Sequence, residues 1–117
     1  MACQLLVDLY GCNSQIVDDP VRISELAHKI IADINSDIVE ECSHHFSPYG
    51  VTYIAVITTS HFSVHTWPEY NYAAIDIFSC NEDLPEILAN MLKEAFDASD
   101  IVYKKIERNI SYRKKMK

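Results

Sequence analysis

Glycine is nearly missing from this chain: there are two in 117 residues, alongside four prolines. So few glycines cannot build a dinucleotide fingerprint or a phosphate-cradling loop, and neither motif occurs. No Pro- or Gly-rich stretch could serve as a linker, so a single domain over residues 1–117 is expected. No apolar run approaches the ~20 residues needed to cross a bilayer. The start, Met1-Ala2-Cys3-Gln4, has neither the basic nor the long apolar region of a signal peptide. Cys3, Cys12, Cys42 and Cys80 are scattered, with no CxxC and no zinc-ligand spacing. The expectation is a cytoplasmic chain with free thiols, no bound metal and no membrane partner.

Basic residues are scarce until the end. Residues 1–103 hold only Arg22, Lys29 and Lys93 against 16 acids, a net of −13. Residues 104–117 hold seven basic residues against Glu107, a net of +6. Residues from about 109 to 117 read as a solvated basic tail, or one neutralising its own acidic body, rather than a nucleic-acid contact.

What is present suits a folded protein: 49% hydrophobic and 23% charged residues. A chain of this length buries roughly two-thirds of its unfolded surface. That makes one core but no deep private cleft. An active site of any size is expected to borrow a wall from a second copy, so a homodimer or higher homo-oligomer is the expectation.

Gln4 to Tyr10 reads as a strand stopped by Gly11. Asp19 followed by Pro20 is a helix start, and Ile23, Leu26, Ile30 and Ile34 follow at helical spacing to about residue 35. A strand is predicted over 37–45, and Ser47-Pro48-Tyr49-Gly50 is a turn. Val51–Thr58, apolar on both faces, predicts an interior strand, and Tyr72–Ser79 another. Asp83 and Glu86 form a capping box around Pro85 ahead of a second helix carrying Leu88, Met91, Leu92 and Phe96. A last strand is placed over 101–108. The order β-α-β-β-β-α-β implies an α+β two-layer sandwich, a mainly antiparallel sheet with two helices on one face.

Between the two interior strands, residues 59–71 are polar and crowded with reactive side chains: Ser60, His61, His65 and Glu69, with Cys80 beyond the next strand. His61 and His65 lack the glutamate of a zinc-protease motif. The block Thr59-Ser60-His61-Phe62-Ser63-Val64-His65-Thr66-Trp67-Pro68-Glu69-Tyr70, followed by Tyr72-Ala73-Ala74-Ile75-Asp76-Ile77-Phe78-Ser79-Cys80, resembles the signature of the small prokaryotic S-adenosylmethionine decarboxylases. Leu5 to Cys12 and His45 to Val51 resemble the same family in order and spacing, so the likeness covers most of residues 4–100.

The resemblance implies a proenzyme that cuts itself between Thr59 and Ser60, into 1–59 and 60–117, and keeps a pyruvoyl group made from Ser60. Decarboxylating an amino acid leaves a carbanion that needs an electron sink. Pyridoxal phosphate is the usual one, but it wants a phosphate cradle and a Schiff-base lysine. Residues 1–103 offer only Lys29 and Lys93, both on predicted helices. The ketone of a pyruvoyl group forms the Schiff base with the substrate amine instead.

By the same resemblance, His65 is the processing base and Thr52 supplies an assisting hydroxyl. Cys80 protonates the product carbon, Glu69 binds the ribose hydroxyls, and Phe46 stacks on adenine. A thiol at its ordinary pKa of about 8.5 is mostly protonated at neutral pH, as a general acid must be. The substrate would be S-adenosylmethionine, and the product would supply aminopropyl groups for polyamine (spermidine) synthesis.

Two departures bear on this. Thr59 stands where the family usually has Glu, although the acyl shift uses the carbonyl of that residue and not its side chain. Asn71 stands where a Gly is usual, and asparagine tolerates positive φ. The alternatives are an arginine or ornithine decarboxylase on the same scaffold, or an unprocessed regulatory paralogue without activity.

Overall fold

The computed structural model describes residues 2–80, 84 and 87–110. Strands β1 (Ala2–Tyr10), β2 (Ile38–His45), β3 (Val51–Ile57), β4 (Ser60–Trp67), β5 (Tyr72–Ser79) and β6 (Asp100–Arg108) form one sheet. Their order is β2-β3-β4-β5-β1-β6, and every neighbouring pair is antiparallel. Helices α1 (Ser14–Val17), α2 (Pro20–Asp33) and α3 (Ile87–Ala95) and a 3-10 turn (Pro68–Tyr70) complete the described elements. The α+β two-layer sandwich is therefore the fold. None of the described helices is long and apolar enough to cross a membrane.

Local chemistry places the helix starts. Asp19 caps α2, its carboxylate accepting from Val21 N at 3.0 Å and Arg22 N at 3.1 Å, with Pro20 at the first helical position. Asn13 does the same for α1, accepting from Gln15 N. The capping box at Asp83 and Glu86, and the tail over 111–117, lie outside the described residues.

Burial alternates along the strands, as the two-residue period of a pleated sheet requires. Leu5, Leu9, Tyr53, Phe62 and Ile77 point to one face, where Ile23, Ile31, Leu88, Leu92 and Phe96 close the core. Thr66, also buried, donates to Val17 O at 2.6 Å and accepts from Val51 N at 2.9 Å, pinning α1 to the β3–β4 pair. The scarce glycines mark two turns. Gly11 sits at φ +67°, where a Cβ would strike the Ser99 side chain, and Gly50 at φ +111°.

Two findings differ from the sequence reading. Residues 60–67 form a strand, β4, and not a polar segment. Phe62, Val64 and Thr66 are buried while His61, Ser63 and His65 are half-exposed, so its polar members are simply its outer face. β3 is interior, as expected, yet its second apolar face is not covered by any described element. Ile54 and Val56 are exposed there, joined on the same sheet face by Leu6, Trp67, Val102 and Ile106.

Candidate active site

β3 and β4 are joined by the two-residue turn Thr58-Thr59, with Ile57 paired to Ser60 across it. Ser60 has φ +146°, a conformation that residues with a Cβ rarely adopt. Such backbone strain is worth of order 1–3 kcal/mol and gathers at functional sites. The carbonyl of Thr59 accepts from the backbone N–H of Cys80 at 2.7 Å. The amide between these two residues is thus strained on one side and polarised on the other. Cys80 follows β5, is exposed, and has a free thiol.

The other candidates gather at the opposite end of the same hairpin. Thr52 and His65 face each other across the β3–β4 ladder, and Thr52 Oγ1 lies 3.1 Å from His65 Nδ1. With Phe46, Tyr49, Trp67 and Glu69 they line a cleft of about 290 Å³. Glu69 is carried by a single 3-10 turn, Pro68–Tyr70, which ends at Asn71 in the left-handed region at φ +52°. Asparagine serves this turn, and its side chain donates to Cys12 O at 3.0 Å. Phe46 is 48% exposed, so it is an aromatic presented to solvent and not a core residue.

The loop that carries Phe46 and Tyr49 is tied down by Asp18, just after α1. One carboxylate oxygen accepts from Gly50 N at 2.8 Å and meets His45 Nε2 at 2.9 Å. The Gly50 N–H in the first place, then His45, holds this carboxyl below its ordinary range, against the opposing effect of burial.

Ser60 and His65 are five residues apart on one strand, about 16 Å at the usual rise. Within one copy, Thr59, Ser60 and Cys80 therefore come together, as do Phe46, Thr52, His65 and Glu69, but the two groups do not meet. His61 and His65 are similarly about 13 Å apart along β4. Among the described residues no group of three or more His, Cys, Asp or Glu side chains is placed to hold a metal ion. The sequence reading missed Tyr49, Trp67 and Asp18. Tyr49 and Trp67 stand within the stretches that carry the resemblance, which was the available signal for them, and Asp18 had none.

The sequence profile of S-adenosylmethionine decarboxylase matches residues 3–109. A protein of Moorella thermoacetica named S-adenosylmethionine decarboxylase proenzyme is 39% identical over 107 residues, 91% of this chain and 86% of the relative. One of the same name from Acidithiobacillus ferrooxidans is 38% identical over 90% of this chain and 80% of its own. The crystal structure of the adenosylmethionine decarboxylase from Aquifex aeolicus superimposes with a TM-score of 0.84 at 27% identity, covering 94% of this chain and 92% of the other.

Proposed function

The chain belongs to the S-adenosylmethionine decarboxylase family, and on that premise we propose that it cuts itself between Thr59 and Ser60 and then decarboxylates S-adenosylmethionine. The observation that carries the reading is the Thr59–Ser60 amide itself: a serine at φ +146° beside a carbonyl already held by the Cys80 N–H.

Self-cutting follows from those groups. Ser60 Oγ attacks the carbonyl carbon of Thr59, and the developing oxyanion is met by the Cys80 N–H that the ground state already engages. The Thr59 C–Ser60 N bond breaks, the hydroxyl proton passes to nitrogen, and an ester joins the two residues. Removal of the Ser60 Cα proton then expels the Thr59 carboxylate from Cβ. Addition of water to the resulting dehydroalanine, with loss of ammonia, leaves a pyruvoyl group at the head of residues 60–117.

His65 is the base for these transfers, with Thr52 holding its ring through Nδ1. Because His65 lies about 16 Å from Ser60 in the same copy, the base comes from a second copy. Two sheets laid face to face and turned end for end bring Ser60 and Cys80 of one copy to Phe46, Thr52, His65 and Glu69 of the other. The uncovered face with Leu6, Ile54, Val56 and Ile106 supplies the apolar contact.

The pyruvoyl group supplies the electron sink for the departing carboxylate's electrons. Around it, Phe46 stacks on the adenine, Glu69 accepts from the ribose hydroxyls, and the Cys80 thiol delivers a proton to the substrate carbon. Neither pyridoxal phosphate nor a metal takes part, and the product feeds aminopropyl transfer in polyamine synthesis.

The test is the intact mass of fresh and aged protein under denaturing conditions, followed by CO2 release from S-adenosylmethionine, arginine and ornithine. Fragments matching residues 1–59 and a pyruvoyl-headed 60–117, with release from S-adenosylmethionine alone, are expected. A single uncut chain, or release from arginine or ornithine instead, would overturn the reading.

A further inference from the structure

We propose that Ser36 is a positioning residue for the self-cutting reaction, orienting the Thr59 carbonyl through a run of three hydroxyls. The inference rests on the reading that the chain cuts itself at Thr59–Ser60.

Helix α2 ends abruptly at a fixed point. Asn35 adopts φ +58°, its N–H donates to Ala32 O at 3.0 Å, and the N–H of Ser36 donates to Ile31 O at 3.1 Å. These paired bonds, with a left-handed residue between, are the Schellman way of stopping a helix. Their effect here is to set Ser36, only 5% exposed, against the turn that contains the scissile amide. Ser36 Oγ lies 2.9 Å from Thr58 Oγ1 and 3.0 Å from Thr59 Oγ1.

The next residue closes the grip. Asp37 N donates to Thr58 Oγ1 at 3.1 Å, and Thr58 N donates to Asp37 O at 2.9 Å. With its lone pair engaged by that N–H, the Thr58 hydroxyl can donate to Ser36, and Ser36 in turn to Thr59. The three hydroxyls thus form one continuous run from helix end to scissile residue.

Thr59 is therefore held at two points: its side chain by Ser36 and its carbonyl by the Cys80 N–H. Fixing both sets the plane of the peptide that Ser60 attacks. A φ of +146° on a serine persists only where the surroundings over-determine it. Releasing the side chain frees that plane to turn and carries the carbonyl off both the N–H and the attacking hydroxyl. The Thr59 hydroxyl is the second partner of Ser36, beside that of Thr58. Ser36 itself exchanges no proton and forms no bond in the reaction.

The experiment follows the cut fraction of freshly purified full-length chains by intact mass. Ser36→Ala is expected to slow cutting about tenfold, and Ser36→Thr, which keeps the hydroxyl, to stay within about threefold of the unchanged chain. Thr59→Val should slow cutting as Ser36→Ala does, and the double variant should be no slower than the slower single one, since both remove the same contact. Hydroxylamine, which cleaves an accumulated ester, should add no cutting to Ser36→Ala, because the step slowed is the acyl shift that forms it. Wild-type cutting rates in Ser36→Ala, slowing that multiplies in the double variant, or an ester that accumulates would each overturn the proposal. If Ser36→Ala does not fold, Thr59→Val decides, an unchanged rate counting against. An unchanged parent chain that never cuts removes the self-cutting reading beneath it, a result distinct from any of these.

Discussion

The N–H of Cys80 donates to the carbonyl oxygen of Thr59 at 2.7 Å while the thiol of the same residue stands exposed. Backbone and side chain of one residue thus face two different groups. In the proposed function the N–H serves the cutting of the chain, and the thiol serves the substrate carbon. Because any residue but proline carries the N–H, the two roles come apart on substitution.

Cys80→Ala should cut at a rate within about threefold of the parent, since the backbone donor survives, while CO2 release falls at least about a hundredfold with the proton donor gone. Intact mass and a CO2 assay on the same sample check both halves. Failure to cut would show that the thiol, and not the N–H, assists the acyl shift.

The separation of Ser60 from His65 along β4 predicts complementation. A Ser60→Ala chain and a His65→Ala chain should each stay largely uncut when made alone. Expressed together, the Ser60→Ala copy lends its His65, and part of the His65→Ala population should be cut. Mass spectrometry distinguishes the two chains. Cutting of His65→Ala alone at the parent rate would remove the base from its assigned place.

Glu69→Gln keeps the shape of the cleft and removes the charge proposed to accept from the ribose. KM for S-adenosylmethionine should rise roughly ten- to a hundredfold, the usual value of a hydrogen bond to a charged group, with kcat changed far less. Steady-state kinetics read the split, and an unchanged KM would show that the nucleoside does not reach Glu69.

Asp18 carries a pH prediction. The Gly50 N–H chiefly, and His45 after it, lower its folded pKa, so the unfolded chain binds the proton more readily. Its contribution is complete above the ordinary carboxylate pKa of about 3.9 and is lost as pH falls through the lower folded value. The loop with Phe46 and Tyr49 should therefore loosen in acid. Trp67, the chain's one tryptophan, lines the same cleft. Its fluorescence should show an acid step that Asp18→Ala abolishes.

Much of the fold was legible because local chemistry dictates it. Asp19 and Pro20 announce α2, and the alternation of Leu5, Val7 and Leu9 announces β1. β4 was hidden because its outer face carries His61, Ser63 and His65, whose reactivity distracts from the buried Phe62, Val64 and Thr66 between them. The candidate site was legible only as a set of residue types in order. That Thr52 meets His65 depends on the two-residue turn that sets the register, and that the Ser60 and His65 groups lie at opposite ends follows from the strand that was missed. Asp18 and Ser36 act on residues more than 20 positions away, through contacts no local pattern encodes.

Breaking the chain between Thr59 and Ser60 has an architectural consequence that the strand order decides. Residues 1–59 hold β1, β2 and β3, and residues 60–117 hold β4, β5 and β6. In the sheet these do not form two blocks, because β1 is threaded between β5 and β6. The halves are interleaved along three ladders, β3 with β4, β5 with β1, and β1 with β6. A nicked molecule cannot fall apart along a single seam. It must unzip everywhere at once, after which reassembly becomes an encounter between two partners in solution and no longer a private event of one chain.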